Sequence, residues 1–567
     1  MTERINGSEA LIRSLLAEEV VTIFGYPGGA IMPIYDALYG HRDKLNHVLT
    51  RHEQGAIHAA QGFARVTGKV GVCFATSGPG ATNLVTGIAD AMIDSTPVVC
   101  ITGQVASPLL GTDAFQESDI VGMSMPVTKW NYQITDASEI PEVLAKAFYI
   151  ARSGRPGPVL IDISKDAQFA ELDFEYVKCT KIRSYIPNYP IKYEQIEIAA
   201  EAINKAKRPF LLVGQGVILS QAETELKEFI EKTNIPTAWT LLGNSALPSN
   251  HPLNVGMLGM HGNYGPNLLT NECDLLIGLG MRFDDRVTGN VNKYAKQADI
   301  IHIEVDPSEI GKIVKTKYPV LGDAKRVLKK LIPLVNKADH SDWLKRFQDC
   351  YDIEYEKVIK NDIYRNNGKI TMGEAVRIVS EKTNGNAICV SDVGQHQMVA
   401  ARYFKFNETR SVVTSGGLGT MGFGLPAAVG AQLGRPDRTV VTFIGDGGFQ
   451  MTMQEMGTIA QEKIPVKIVI LNNNFLGMVR QWQELFFEKR YSFTELVNPN
   501  FIVLSSAFDI PAKKVVKGDE LEAAIEEMLT TDGPYLLEVV VEQEDNVFPM
   551  VPTGAGVSEI ILENPNV

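Results

Sequence analysis

The chain has few cysteines and spaces none of them for a shared task. Its six (Cys73, Cys100, Cys179, Cys273, Cys350 and Cys389) include no CxxC pair and no metal-ligand spacing. That excludes a disulfide scaffold or a cysteine-held zinc site and predicts buried free thiols in a reducing compartment. Basic residues are also outnumbered: 54 Lys and Arg against 67 Asp and Glu leave a net charge of −13. Nucleic acid and anionic membranes both require a basic face, so neither is expected as the main partner. Anionic ligands must instead meet local Arg, Lys or metal ions. Unbroken apolar runs are missing as well. Residues 70–89 and 411–434 are uncharged and long enough to span a bilayer, but glycines and Pro79 or Pro426 interrupt them. They are expected as buried strand–loop–helix units. The opening MTERINGSEALIRSLL lacks a signal-peptide core and reads as the approach to an amphipathic helix, so a cytoplasmic protein is expected.

A chain of 567 residues exceeds what one hydrophobic core supports, and three domains of under about 200 residues each are the natural division. Short β-branched runs alternate with helical patterns throughout, the mark of parallel-sheet α/β domains. Two stretches break the rhythm. Residues 178–194 (KCTKIRSYIPNYPIKYE) carry two prolines and no clear period, and residues 337–369 form a polar helix ending in YRNNGK. Treated as linkers, they predict domains at 1–180, 190–336 and 368–567. The fold class is therefore α/β, with three domains that are each a mainly parallel sheet flanked by helices. The first and third domains read as a duplication. Residues 68–84 align with 438–453, Phe74 over Phe443 and Gly78 over Gly447, and Thr96-Pro97 then falls against Ile464-Pro465. The third domain has Asp446 where the first has Ser77, so the two halves are expected to hold different parts of one ligand.

The strongest chemical signal lies in the third domain. An expected strand at 439–444 runs into Gly445-Asp446-Gly447-Gly448 and a helix, and a second strand at 466–471 ends in Asn472-Asn473-Asn474. Both motifs sit at carboxyl ends of parallel strands, where open α/β sheets bind ligands. The glycines let backbone N–H groups approach phosphate oxygens at a helix N-terminus. A carboxylate and an amide oxygen are hard ligands suited to Mg²⁺. Alone, GDG could be a plain turn with an aspartate cap. GDG, a helix, a strand and NN in succession form the thiamine diphosphate fingerprint. In the first domain Arg51-His52-Glu53-Gln54-Gly55-Ala56 follows an expected strand, Asn46–Leu49, and opens a helix. Taken by itself, Glu53 is a carboxylate stabilised by the helix dipole. Beside a thiamine site it becomes the carboxyl group that this cofactor needs at its aminopyrimidine ring nitrogen to favour the imino tautomer that deprotonates C2.

Further motifs include GYPGGAIMPIYDAL (25–38), RHEQGAIHAAQGFAR (51–65), GTDAFQE (111–117), RFDDRVTGN (282–290), GGLGTMGFGLPAA (416–428) and LNNNFLGMVRQWQE (471–484). With these, nearly the whole chain resembles the catalytic large subunits of the acetohydroxyacid synthases, also called acetolactate synthases. The resemblance implies that pyruvate is decarboxylated on thiamine diphosphate. The hydroxyethyl carbanion then condenses with a second pyruvate, giving acetolactate, or with 2-oxobutyrate, giving acetohydroxybutyrate. This is the first common step of valine, leucine and isoleucine biosynthesis. It further implies Mg²⁺ and FAD as cofactors, a homodimer or homotetramer, and a separate regulatory small subunit.

By the same resemblance Glu53 activates the cofactor, and Gln104, Phe115 and Lys129 line the active site. Asp446, Asn473 and the backbone carbonyl of Phe475 hold Mg²⁺. Gly29, Gln395, His396, Gly447 and Gly448 contact thiamine diphosphate, and Met421 wedges it into a bent form, although a buried core methionine would read the same. Arg286 grips the second oxo acid's carboxylate, the alternative being an ion pair with Asp284 or Asp285. Trp482 shapes the acceptor pocket, or else merely packs. The family's central domain binds FAD, at positions matched here by Arg155, His261, Arg282, Glu304 and Asp323. Two departures bear on that expectation: Leu219 stands where GxGxxG needs its last glycine, and Gln215 replaces the family's usual glycine. A generic α/β domain is the competing reading there. For the whole protein it is an FAD- and thiamine-dependent pyruvate oxidase. Glyoxylate carboligase lacks the activating glutamate, and a flavin-free catabolic acetolactate synthase lacks RFDDRVTG.

Overall fold

The computed structural model describes residues 3–365 and 368–565. Asn366 and Asn367 of the second expected linker, and the two residues at each end of the chain, lie outside the described residues. Among the described residues, twenty strands build three six-stranded sheets and one two-stranded ribbon. In chain order they are β1 (Glu3–Asn6), β2 (Thr22–Gly25), β3 (Asn46–Leu49), β4 (Gly71–Ala75), β5 (Val98–Gln104), β6 (Trp130–Ile134), β7 (Pro158–Ser164) and β8 (Glu171–Phe174). The central set is β9 (Pro209–Val213), β10 (Thr237–Trp239), β11 (Asn254–Met257), β12 (Leu275–Leu279), β13 (Asp299–Glu304) and β14 (Tyr318–Leu321). The last set is β15 (Ile388–Ser391), β16 (Val412–Thr414), β17 (Val440–Gly445), β18 (Lys467–Asn472), β19 (Ala512–Val515) and β20 (Tyr535–Val540).

β1 pairs with β8 antiparallel, and the six-stranded sheets are parallel throughout. The first runs β3-β2-β4-β5-β7-β6 and the third β16-β15-β17-β18-β20-β19. Numbered from its own first strand, each reads 2-1-3-4-6-5. The two outer domains thus share one topology, and β4 takes the place of β17 as the alignment of Phe74 with Phe443 requires. The central sheet runs β11-β10-β9-β12-β13-β14, or 3-2-1-4-5-6, the doubly wound order whose ligand crevice opens where the strand order reverses.

The central strands are continuous apolar runs because helices cover both faces; β4, β5, β7 and β18 are buried at every residue. The expected strands at 439–444 and 466–471 each form one residue later. Residues 70–89 become β4 with the helices Pro79–Thr82 and Val85–Ile93, and 411–434 become β16 with the helix Gly424–Gly434. Among the described residues no helix is long and apolar enough to cross a membrane. Five cysteines are buried and Cys179 is partly exposed, all six as free thiols. Cys73 and Cys100 face each other across β4 and β5 with their sulfurs 3.4 Å apart.

Residues 341–354 are more than a polar spacer. The helix Ser341–Glu354 buries Trp343, Phe347 and Cys350, an i, i+4, i+7 stripe that gives it one apolar face. The Trp343 indole donates to the carbonyl of Pro209 at 3.0 Å, and the Phe347 and Phe210 ring centroids are 4.9 Å apart. This face docks the segment onto the central domain.

The outer domains meet along two helices, Glu53–Thr67 and Gly424–Gly434. They cross so closely that a Cβ on Gly62 would fall on the carbonyl of Ala427, and one on Gly430 on the carbonyl of Ala59. One apolar core runs through both domains, with Phe24 and Ile57 in the same cluster as Phe423 and Val440.

Candidate active site

β17 and β18 deliver their motifs side by side, with Gly445 paired against Leu471. Asp446 opens the helix Asp446–Thr452 and is buried. Its Oδ2 accepts the Asn498 amide at 2.7 Å. Burial pushes its pKa up to about 6, against hydrogen bonds from Asn498 and nearby backbone N–H groups. Asn472 turns into the sheet and donates to Glu538 at 2.8 Å. Asn473 instead borders a small cleft of about 50 Å³ together with Asp446, Gly447, Gly448, Phe475 and Met421. A Cβ on Gly447 would come within 2.8 Å of Leu476, and one on Gly448 would strike the Asp392 carboxylate. A side chain at Gly448 would collide with a buried carboxylate, whereas one at Gly447 would need only the Leu476 side chain to shift. One carboxylate, one amide oxygen and a backbone carbonyl fit a magnesium ion that keeps other positions for phosphate and water. Among the described residues no group of three or more His, Cys, Asp or Glu could hold a metal.

Gln395 and His396 border the same cleft but are engaged with protein atoms. Gln395 donates to Gln481 Oε1 and to the Asp545 carbonyl, both at 3.0 Å. His396 is fully buried, which pushes its pKa down to about 3, and its Nε2 accepts the Gly445 N–H at 3.3 Å. A neutral His396 thus braces the turn ahead of Asp446.

A much larger cavity, about 1020 Å³, opens beside the cleft between the central and third domains. It lies at the carboxyl ends of β9 and β12, the point of strand reversal. Arg155, His261, Arg282, Glu304 and Asp323 all border it. Arg155 reaches Asp306 and Glu309 at 3.2 Å each. Burial pushes Glu304 up to about 7 and His261 down to about 4. Asp323 caps the helix Ala324–Leu331 by accepting the Arg326 N–H at 3.1 Å. The buried Nδ1 of His261 has no hydrogen-bond partner. Gln215 and Leu219 stand on the same wall, so the departures from the glycine pattern face the cavity too.

Three residues with competing readings lie on this wall. Met421 is only partly buried and borders both the cavity and the cleft, as Val393, Gly394, Met478 and Val479 also do. Arg286 borders the cavity with 66% of its side chain exposed and only a loose, 3.8 Å approach to Asp285. Asp284 is occupied in capping the helix Asp285–Thr288. Trp482 also borders the cavity, half-buried, with its ring 5.0 Å from that of Phe486.

The first-domain residues stand elsewhere. Glu53 begins the helix Glu53–Thr67, buried, and its Oε2 accepts the Asn83 amide at 2.9 Å. Gln104, at the end of β5, donates to the Ser118 carbonyl at 3.0 Å and to Asp162 at 3.1 Å. Lys129 donates to the Ser153 carbonyl at 2.8 Å and the Tyr185 hydroxyl at 2.9 Å; burial, with Arg155 nearby, brings its pKa down to about 7. Gly29 is exposed in the loop after β2, and Phe115 is 88% exposed. None of these five borders the cleft or the cavity.

Sequence reasoning missed a buried ion cluster that holds the loop ahead of Met421. Asp94 accepts Arg65 Nη2 and the Gly416 N–H at 2.8 Å each, and the Gly417 N–H at 2.7 Å. Asp90 accepts the hydroxyls of Ser415 and Thr420, and Arg65 Nη1 donates to the Thr414 carbonyl at 2.8 Å. Burial raises the pKa of Asp94, with Arg65 pulling the other way. The next residue, Ser95, accepts Arg155 Nε at 2.9 Å. The turn after the helix Val85–Ile93 thus joins all three domains beside the cavity. Buried polar residues within an apolar helix give a sequence reader no partner to name.

Comparison with known proteins gives concordant matches. The chain matches the thiamine pyrophosphate enzyme N-terminal TPP binding domain over residues 5–123, the central domain over 196–331 and the C-terminal TPP binding domain over 392–539. It is 46% identical to the acetolactate synthase isozyme 2 large subunit of Escherichia coli, covering 98% of this chain and 99% of that one. It is 47% identical to the acetolactate synthase large subunit of Corynebacterium glutamicum (98% and 90% covered) and 44% identical to that of Lactococcus lactis (98% and 96%).

Removing Asp94 takes the carboxylate acceptor from the buried Arg65 Nη2 and from the N–H groups of Gly416 and Gly417, and each buried donor left unsatisfied costs about 1–3 kcal/mol. Asp94→Ala should accordingly lower the thermal denaturation midpoint by several degrees in scanning calorimetry. A midpoint matching the parent would show that Arg65 finds equivalent partners without Asp94.

Proposed function

The chain belongs to the thiamine pyrophosphate enzymes, among the acetolactate synthase large subunits, and from that membership we infer that it condenses two 2-oxo acids. The reaction joins the two-carbon remainder of decarboxylated pyruvate to a second pyruvate or to 2-oxobutyrate, in branched-chain amino acid biosynthesis. The observation that carries this reading is the position of Met421. It stands where a cleft with magnesium-type donors adjoins a cavity that Arg286 and Trp482 border. The relatives do not favour the pyruvate oxidase alternative.

Bound thiamine diphosphate supplies the carbon nucleophile and the electron sink for decarboxylation. Asp446, Asn473 and the Phe475 carbonyl would hold Mg²⁺ against the diphosphate, for which Gly447 and Gly448 leave room and near which Gln395 and His396 stand. Glu53 would hold a proton at the aminopyrimidine ring nitrogen. Arg286, free of a close ion pair, would grip the acceptor's carboxylate through paired N–H bonds, while Trp482 meets its alkyl end. The strand order of the central domain and the convergence of Arg155, His261, Arg282, Glu304 and Asp323 on the large cavity support FAD there, with no redox step in the net reaction. A regulatory small subunit and a cytoplasmic location belong to the same proposal.

Gly29, Glu53, Gln104, Phe115 and Lys129 border neither cavity of their own chain, which supports a site completed between two copies. The functional unit is then at least a homodimer, as a dimer or a tetramer. Glu53 of one copy would meet Asp446 of the other.

The direct test supplies purified protein with pyruvate, Mg²⁺ and thiamine diphosphate, with and without FAD, and scores acetolactate and oxygen uptake. Acetolactate without oxygen uptake is expected, and less of it without FAD. Oxygen consumption in step with pyruvate loss would instead identify an oxidase.

Glu53→Gln keeps the size but cannot stabilise a protonated ring nitrogen. Turnover should fall about 10²–10⁴-fold, the range of positioned acid–base groups. Asp446→Ala should be nearly inactive through loss of cofactor affinity. Mixed and allowed to exchange, the two inactive chains should regain activity, because one hybrid site has both residues intact. Demonstrated exchange with no recovery would place the site within a single chain.

Acceptor choice separates Arg286 from Trp482. Both oxo acids carry a carboxylate, so Arg286→Lys should slow both reactions at a nearly constant product ratio. One methylene in an apolar pocket is worth about 1–3 kcal/mol, so Trp482→Leu should shift that ratio while acetolactate still forms. Competition between the two acceptors reads it directly, and an unchanged ratio would make Trp482 a packing residue.

A further inference from the structure

Asn498 is distant in sequence from both third-domain motifs yet touches both. The segment before it is fastened alongside residues 474–476 by Leu476 N–H to the Thr494 carbonyl and Leu496 N–H to the Asn474 carbonyl, each at 2.8 Å. Its amide nitrogen thereby reaches three oxygens: Asp446 Oδ2 at 2.7 Å, Asn474 Oδ1 at 3.0 Å and Asn472 Oδ1 at 3.1 Å. Gln450 Nε2 donates to the Asn498 side-chain oxygen Oδ1 at 2.8 Å and, more loosely, to the Asp446 backbone carbonyl at 3.3 Å. The shorter bond decides which end of the Asn498 amide faces Asp446, because a carboxamide can donate only through nitrogen.

We propose that Asn498 is a positioning residue for the divalent cation. Oriented by Gln450, it holds the Asp446 carboxylate in one pose and so sets the affinity for metal and diphosphate. Partners behind a metal ligand restrict its orientation before the ion arrives, and losing one typically weakens metal binding about 10–100-fold. The inference rests on the proposed role of Asp446 as the cation's carboxylate ligand, and adds a chain of two amides behind it. Nothing in residues 490–500 resembles a metal motif, so the link exists only in the fold.

The test is calorimetric titration of Mg²⁺ into the full chain with saturating thiamine diphosphate, for the parent, Asn498→Leu, Gln450→Leu and the double variant. Leu fills the space of either amide without donating. Asn498→Leu should bind Mg²⁺ about 10–100-fold more weakly, while turnover at saturating Mg²⁺ stays near the parent's. Gln450→Leu should weaken binding less and in the same direction, and the double variant should fall short of the sum of the two losses, since Gln450 acts mainly through the Asn498 amide and only secondarily through its longer bond to the Asp446 carbonyl. Gln450→Leu keeps the proposal testable if Asn498→Leu fails to fold. Parent-like affinity in both single variants overturns it, as do losses that add in full. Asp446→Ala is the control. If that variant retains Mg²⁺ binding, the metal site itself has been misassigned. If it loses binding while the amide variants keep theirs, only the positioning role fails.

Discussion

Arg65, Asp90 and Asp94 are almost wholly removed from water, two carboxylates against one guanidinium. Buried charges are costly unless paired and hydrogen-bonded, and within the first domain this set is one cation short. The balance is made up by N–H and hydroxyl groups of residues 415–420, which belong to the third domain. The first domain's charges can therefore be satisfied only with that loop in place, and the loop leads straight into Met421. At the same turn Arg155 rests on Ser95 and extends to Asp306 and Glu309 of the central domain. A desolvation problem in one domain thus fixes the shape of a cavity formed mainly by the other two.

Around that junction the two outer sheets divide the work. Both read 2-1-3-4-6-5, but only the third carries an aspartate at the end of its third strand, while the first places Glu53 at a helix start facing Asn83. Equivalent crevices with different donors suit a ligand that is ionic at one end and heteroaromatic at the other. The central sheet, with its own strand order, adds a second crevice rather than a third copy of the first.

The parallel α/β class, the three-part division and the duplication were legible because they rest on local signals: strand periodicity, glycine-rich turns and the match of Phe74 with Phe443. The third-domain motifs were legible for a related reason. Asp446 and Asn473 end successive strands, and spacing along the chain there translates directly into proximity. Asn498, Asp392 and the Arg65 cluster were not legible. Their partners are set by loop paths and by helices that cross between domains, and neither has a period. The docking face of residues 341–354 was written in the sequence as Trp343, Phe347 and Cys350, but the surrounding charges hid a stripe only three residues long. No one-chain reading could show that the first-domain residues would lie apart from Asp446, because distance between domains leaves no trace in motif spacing.

The contact between the helices Glu53–Thr67 and Gly424–Gly434 makes Gly62 and Gly430 each the only residue small enough for its place. Neither borders the cleft or the cavity. Both nevertheless sit on helices tied to the proposed site, one beginning at Glu53 and the other following Met421. Any side chain there would pry the two backbones apart and carry Glu53 and Met421 with them. In a mutational scan scored by activity alone, these glycines would be indistinguishable from residues that touch substrate, and drift at either could proceed only through paired changes on both helices.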